Sequence, residues 1–149
     1  MIITASVALT GLLLAIVSAI WIHYESLRYL SVRLSNVPIK PPLRLVLGVF
    51  GVFVAHVLEM LVFAVLYLSL IPFERFGGLQ GNFPVNFVPN FADAFYFSCI
   101  TYTSLGFGDI VPTGWIRLIA GLEALLGLVL ITWTASFLYL EMTRYWQEH

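Results

Sequence analysis

Three apolar runs separated by polar breaks organise the chain. Ile2 to Ile22 carries no charge, Leu45 to Ile71 is interrupted only by His56 and Glu59, and Leu118 to Leu140 only by Glu123. A bilayer core takes about 20 apolar residues as helix, so three spans are predicted. The first run has no basic n-region and is long for a signal peptide, which favours a retained span. Residues 24–35, "YESLRYLSVRLS", set Tyr24, Leu27, Leu30 and Leu34 on one side at helical spacing, with Arg28, Ser31 and Ser35 opposite. This predicts an interfacial helix or a polar end to the first span, closed by Pro38, Pro41 and Pro42. His23 and Glu25 read as surface anchors at the cytoplasmic interface.

The stretch between the second and third runs has a different pattern. Residues 72–90, "PFERFGGLQGNFPVNFVPN", are rich in Gly, Pro and Asn and read as an irregular loop. Asn90 is a suitable N-cap and Asp93 suits a first helical turn, so a helix is expected to run to Thr103. At about 12 residues and near 18 Å, that helix is too short to cross a bilayer. A short helix followed by irregular backbone between two spans predicts a re-entrant loop. Such backbone survives at membrane depth only where protein or a watery cavity surrounds it.

Composition sharpens the class. The 149 residues are 60% hydrophobic and 10% charged, with a mean hydropathy of +0.96, more apolar surface than a soluble domain of this size can hide. A formal net charge of −1 gives no basic face for nucleic acid. Cys99 is the only cysteine, which excludes disulfides within the chain and argues against thiolate metal clusters. Arg28, Arg33, Lys40, Arg44 and Arg144 fall on one side of the spans, against Arg75 and Arg117 on the other. The excess of positive charge faces the cytoplasm, so the N-terminus is expected outside and the C-terminus inside. No arginine series lies in a span, so voltage sensing by moving charge is not expected. No soluble ligand domain is expected after His149, which leaves gating to the spans, lipid, ions or a separate partner.

The segment "TYTSLGFGDIVPTG", 101–114, holds Gly106 and Gly108 between two apolar runs. Glycine permits backbone shapes that other residues resist, and a loop so built can turn its carbonyls one way. Preceded by a short helix and followed by a span, "SLGFG" at 104–108 resembles the signature Thr-Val-Gly-Tyr-Gly of the potassium channel pore family, with Thr103 before it and Asp109 after it also fitting. The resemblance covers the second span to the third. It implies an all-α homotetrameric membrane protein with a pore helix and filter, no enzymatic activity, and no cofactor beyond bound potassium. By position, the carbonyls of Ser104, Leu105, Gly106 and Phe107 would bind the ions, with the Ser104 hydroxyl innermost. Tyr96 and Phe97 would support the filter from the pore helix.

Three departures from the family pattern stand out. Ser104 keeps the oxygen of Thr but loses a methyl that restrains its rotamer. Phe107 lacks the Tyr hydroxyl that bonds to the surrounding aromatic cuff, and a tendency to inactivate is expected. Ile100 stands where some members carry a carboxylate, which leaves the Tyr96 hydroxyl as a partner for Asp109. If the Ser104 or Phe107 change loosens the ion cage, a non-selective cation channel results; a non-conducting accessory subunit is a further alternative. "GFGD" also meets the Gly-x-Gly-Asp pattern of intramembrane aspartyl proteases, but Asp93 is the only other aspartate and sits about 16 residues back.

Ionisable groups inside spans suggest function. His56 and Glu59 share a helix face, and helical rise puts Glu123 at a similar level. The three predict either a hydrogen-bonded cluster joining the second and third spans or a proton or metal sensor behind the pore. Gly127 is either a hinge of the inner span or a close-packing position. Helical spacing makes Ile131, Ala135 and Leu138 cavity candidates, with Tyr139 or Met142 near an inner gate. The expected organisation is a first span at 1–23, a cytoplasmic or interfacial linker at 24–44 and an outer span at 45–71, followed by an extracellular loop at 72–90. A pore helix at 91–103, a filter at 104–109, an inner pore-lining span at 115–143 and a cytoplasmic tail at 144–149 complete it.

Overall fold

A computed structural model describes residues 2–36, 38, 40–81 and 88–146. The parts of the expected linker, outer loop and tail at 37, 39, 82–87 and 147–149 lie outside the described residues. Four helices follow in order: α1 (Ile2–Asn36), α2 (Pro41–Leu70), α3 (Phe91–Tyr102) and α4 (Ile116–Trp146). A 3-10 turn (Glu74–Phe76) and strand β1 (Leu79–Gly81) lie between α2 and α3, and strand β2 (Ile110–Pro112) precedes α4. Among the described residues, three helices are long and apolar enough to cross a membrane, over Ile3–Leu34, Pro42–Leu70 and Ile116–Thr143.

Helix α1 does not stop at the polar stretch 24–35 but runs straight through it. Its buried residues are Ala8, Leu12, Ala15, Ala19, His23, Leu27 and Leu34, a stripe at three- and four-residue spacing. The alanines let backbones approach closely, which matters in lipid, where packing rather than water exclusion drives helices together. On α2, Gly51 makes room for α1: a Cβ there would stand 2.5 Å from Leu30 Cδ2. His23 lies on this stripe and is fully buried, so it is a core group and not a surface anchor. Glu25, one step round the helix, instead bonds Arg28 at 2.6 Å.

Pro41 and Pro42 occupy the first turn of α2, where a missing N–H costs nothing. Helix α3 starts on a reciprocal cap. Asn90 Oδ1 accepts from the N–H of Ala92 at 2.7 Å and of Asp93 at 3.2 Å, and Asp93 Oδ2 accepts from the Asn90 N–H at 2.8 Å. The outer connection is more ordered than the sequence suggests, because β1 pairs antiparallel with β2 in the register Leu79↔Pro112 and Gly81↔Ile110. The backbones touch there: a Cβ on Gly81 would meet the Asp109 carbonyl oxygen at 2.2 Å. The core joins all four helices around Phe63, Tyr67, Phe97, Ile119 and Leu130. Tyr67 and Phe97 meet edge-on at 5.0 Å between ring centroids. Outward lie Leu13, Leu14, Phe50, Phe53, Leu125 and Val129, an apolar surface suited to lipid or to further chains.

Candidate functional site

Helix α3 ends at Tyr102, and the chain turns at once. The Ser104 N–H bonds the Thr101 carbonyl at 2.9 Å, and the Gly106 N–H reaches back to the Ile100 carbonyl at 3.1 Å. Thr103 Oγ1 donates to the Cys99 carbonyl at 2.7 Å and covers part of the helix end. Beyond it, φ is positive at Ser104 (56°), Gly106 (52°) and Gly108 (81°), and negative at Leu105 and Phe107. An ordinary strand sends successive carbonyls to opposite sides. Alternation in the sign of φ departs from that regular reversal and is compatible with a backbone whose successive carbonyls share a side.

Space does not explain the two glycines, since a Cβ at Gly106 or Gly108 would meet nothing within 4 Å. The left-handed backbone does, because it costs an L-residue roughly 1–2 kcal/mol. Ser104 accepts that cost as the one non-glycine residue with positive φ among those described. All residues from Thr103 to Asp109 are exposed on the single chain, with Leu105 at 57% and Phe107 at 67%. The C-terminal end of α3 sets the partial negative charge of the helix at the start of this loop, which favours a cation there.

The far end of the loop is held by two devices. Tyr96 donates from its hydroxyl to Asp109 Oδ2 at 2.7 Å, the contact expected in the absence of a carboxylate at Ile100. By accepting this bond, Asp109 raises the Tyr96 phenol above its ordinary value. The β1–β2 pair then fixes Ile110 directly after Asp109. Phe97, the next residue of α3, points the other way into the core. A cleft of about 350 Å³ backs the loop, lined by Ile100, Thr101, Ile110, Val111, Ala120 and Ala124 among others.

Behind the start of the loop lies a buried polar network. Glu59, fully buried, accepts from Tyr102 and lies 2.9 Å from His23 Nδ1 and 3.0 Å from His56 Nδ1. His56 Nδ1 is also 2.9 Å from the Tyr102 hydroxyl, and its Nε2 is 3.0 Å from Thr134 Oγ1. Glu123 belongs to a second network: it meets the hydroxyls of Tyr67 and Ser98, and Ser98 also donates to the Met60 carbonyl at 2.8 Å. The structure therefore brings His56 and Glu59 together, adds His23, and turns Glu123 toward α3. From the sequence His23 reads as a surface anchor, and Tyr102, Thr134, Tyr67 and Ser98 are not singled out for this network. Only His23 left a signal, its place on the apolar stripe of α1.

Gly127 is buried against α3, and a Cβ on it would overlap the Tyr102 carbonyl oxygen at 2.0 Å. Ile131, Ala135 and Tyr139 are exposed along α4 on the single chain, while Leu138 and Met142 are half-buried.

The model of a family described as ion channel matches residues 55–144, from the middle of α2 through α3 and the loop to the end of α4. No curated protein and no solved structure matches the chain. The match covers more than half of the sequence and leaves α1 outside it. This multi-pass membrane protein therefore belongs to the two-transmembrane, potassium-channel-like ion channel family.

Proposed function

We propose that four copies of the chain surround a central axis and pass potassium passively down its electrochemical gradient. The observation that carries this reading is the alternation of φ from Ser104 to Gly108. Four such strands facing an axis stack rings of carbonyl oxygens that replace an ion's hydration shell. Ser104, Leu105, Gly106 and Phe107 supply the carbonyls, and the Ser104 hydroxyl adds the innermost ring. The only bound species required is potassium itself.

The exposure of Leu105 and Phe107 on one chain supports this assembly, because neighbouring copies would cover both. In it, α3 is a re-entrant pore helix, α2 an outer helix, and α4 the pore-lining helix, with Ile131 and Ala135 toward the cavity. The N-terminus lies outside and the C-terminus in the cytoplasm, following the basic residues.

Purified protein in liposomes tests the reading directly. Outward potassium and sodium gradients are applied in separate vesicles, and the mass of the cross-linked assembly is measured alongside. A four-chain species passing potassium but not sodium is expected. Equal passage of both ions would reassign the protein as a non-selective cation channel, and a monomer or trimer would end the proposal.

A further inference from the structure

Three side chains from two helices converge at the foot of α3. One ligand atom each from His23, His56 and Glu59 can be chosen so that all lie within 4.8 Å of one another. The geometry points to a binding site for one divalent transition-metal ion of the zinc class at this triad, with the Tyr102 oxygen as fourth ligand once its proton, now donated to Glu59, is released to solvent on binding. Tetrahedral zinc with bonds of about 2.1 Å sets its ligand atoms about 3.4 Å apart. The observed pairs, 2.9 Å from His23 Nδ1 to Glu59 Oε1 and 3.0 Å from His56 Nδ1 to Glu59 Oε2, end on the two oxygens of one carboxylate, so the carboxylate turns to present one oxygen as the pairs open.

The chemistry of the donors selects the ion. Two imidazoles with one carboxylate suit zinc and its neighbours, whereas calcium and magnesium take oxygen ligands. Thr134 supports the assignment from outside. Its Oγ1 lies 3.0 Å from His56 Nε2, where it can accept the N–H of the tautomer that leaves the Nδ1 lone pair facing the site. His23 Nε2 is buried with no hydrogen-bond partner among the described residues, so ligation through Nδ1 displaces no bond on the far side of that ring but gains no outer acceptor there. The His23 and Glu59 side chains are wholly buried, and the 16% exposure of His56 gives the ion its way in. Once bound, the ion staples α1 to α2 and to Tyr102, two residues before Ser104.

Metal content and spectroscopy of the full chain in detergent test this without any measurement of ion flux, so the outcome stands apart from that of the conduction proposal. After chelation, reloading with excess zinc and dialysis against metal-free buffer, one zinc per chain is expected. Cobalt in place of zinc is expected to give the intense visible bands of a four-coordinate ion. His23→Gln and His56→Gln are expected to weaken binding by more than about ten-fold, and Thr134→Val by about ten-fold. Glu25→Gln, a carboxylate on the outside of α1, is expected to leave it unchanged. If a histidine variant fails to fold, the cobalt spectrum of the unaltered protein decides. Less than one metal per chain, a faint six-coordinate cobalt spectrum, or binding indifferent to both histidine substitutions overturns the site.

Discussion

A Cβ placed on Gly127 would stand 2.0 Å from the carbonyl oxygen of Tyr102. The contact is with backbone at the end of α3, so no side-chain rotation relieves it. Gly127→Ala must push α4 away from α3 or bend one of them, at a cost of about 1–3 kcal/mol by analogy with overpacked cores. The expected outcome is a lower thermal unfolding temperature of the assembled protein, read by size-exclusion after heating. A glycine acting only as a hinge would leave that temperature unchanged and alter opening instead.

Gly106 and Gly108 fail differently when replaced. Within one chain space is available at both, so Gly106→Ala and Gly108→Ala are expected to fold. Each forces an L-residue to hold positive φ, at roughly 1–2 kcal/mol per chain and four times that in the proposed assembly of four. Relief comes from rotating the peptide, which turns carbonyls off the axis. Potassium flux in liposomes should fall by at least about ten-fold, the factor that 1.4 kcal/mol represents. Retained selective flux in either variant would separate the glycines from ion coordination.

The contrast between what the chain announces and what it conceals has a geometric cause. Asn90 and Asp93 mark the start of α3 because a cap depends on neighbours in sequence. The spans are legible because lipid demands a length and an apolar composition. Helical rise also places Glu59 and Glu123 at about the right depth, but depth says nothing about rotation about the helix axis. Rotation sends Glu123 to Ser98 and Tyr67, and Glu59 to His23 and Tyr102. Those partners come from helices far away in sequence, so no local pattern names them. His23 is the instructive case: its polarity next to Glu25 suggested a surface, while its register with Ala15, Ala19 and Leu27 pointed inward.

Glu123 is the buried acceptor for two hydroxyls, Tyr67 from α2 and Ser98 from α3. Glu123→Ala removes both bonds at once. Ser98 keeps the Met60 carbonyl, but the Tyr67 hydroxyl is left in the core with no partner among those described. An unsatisfied buried group costs about 1–3 kcal/mol, and the vacated volume adds to it. Glu123→Gln preserves an acceptor and the volume, so its unfolding temperature should lie between those of the unaltered protein and the alanine variant. Equal stability of all three proteins would mean that this network does not hold α2, α3 and α4 together.

Tyr96 and Asp109 clasp the outer end of the loop from opposite ends of thirteen residues. Tyr96→Phe deletes the donor and keeps the ring, so folding and assembly should be unaffected while the loop loses its tether. The expected result is potassium flux that starts at the normal rate and then decays faster, as the carbonyls after Gly106 lose their alignment. The pH dependence follows from the same bond. The phenol donates only while protonated, and Asp109 raises its titration above the ordinary value of about 10. A group whose folded value is raised holds its contribution below its unfolded value and loses it as pH rises through the folded one. The tether therefore persists across neutral and mildly alkaline pH and is lost only above about 10. The faster decay of Tyr96→Phe should be absent from the unaltered protein at neutral and mildly alkaline pH and should appear above that limit, and the variant itself should show no such alkaline step. A step of the same size in both proteins would assign the alkaline change to another group.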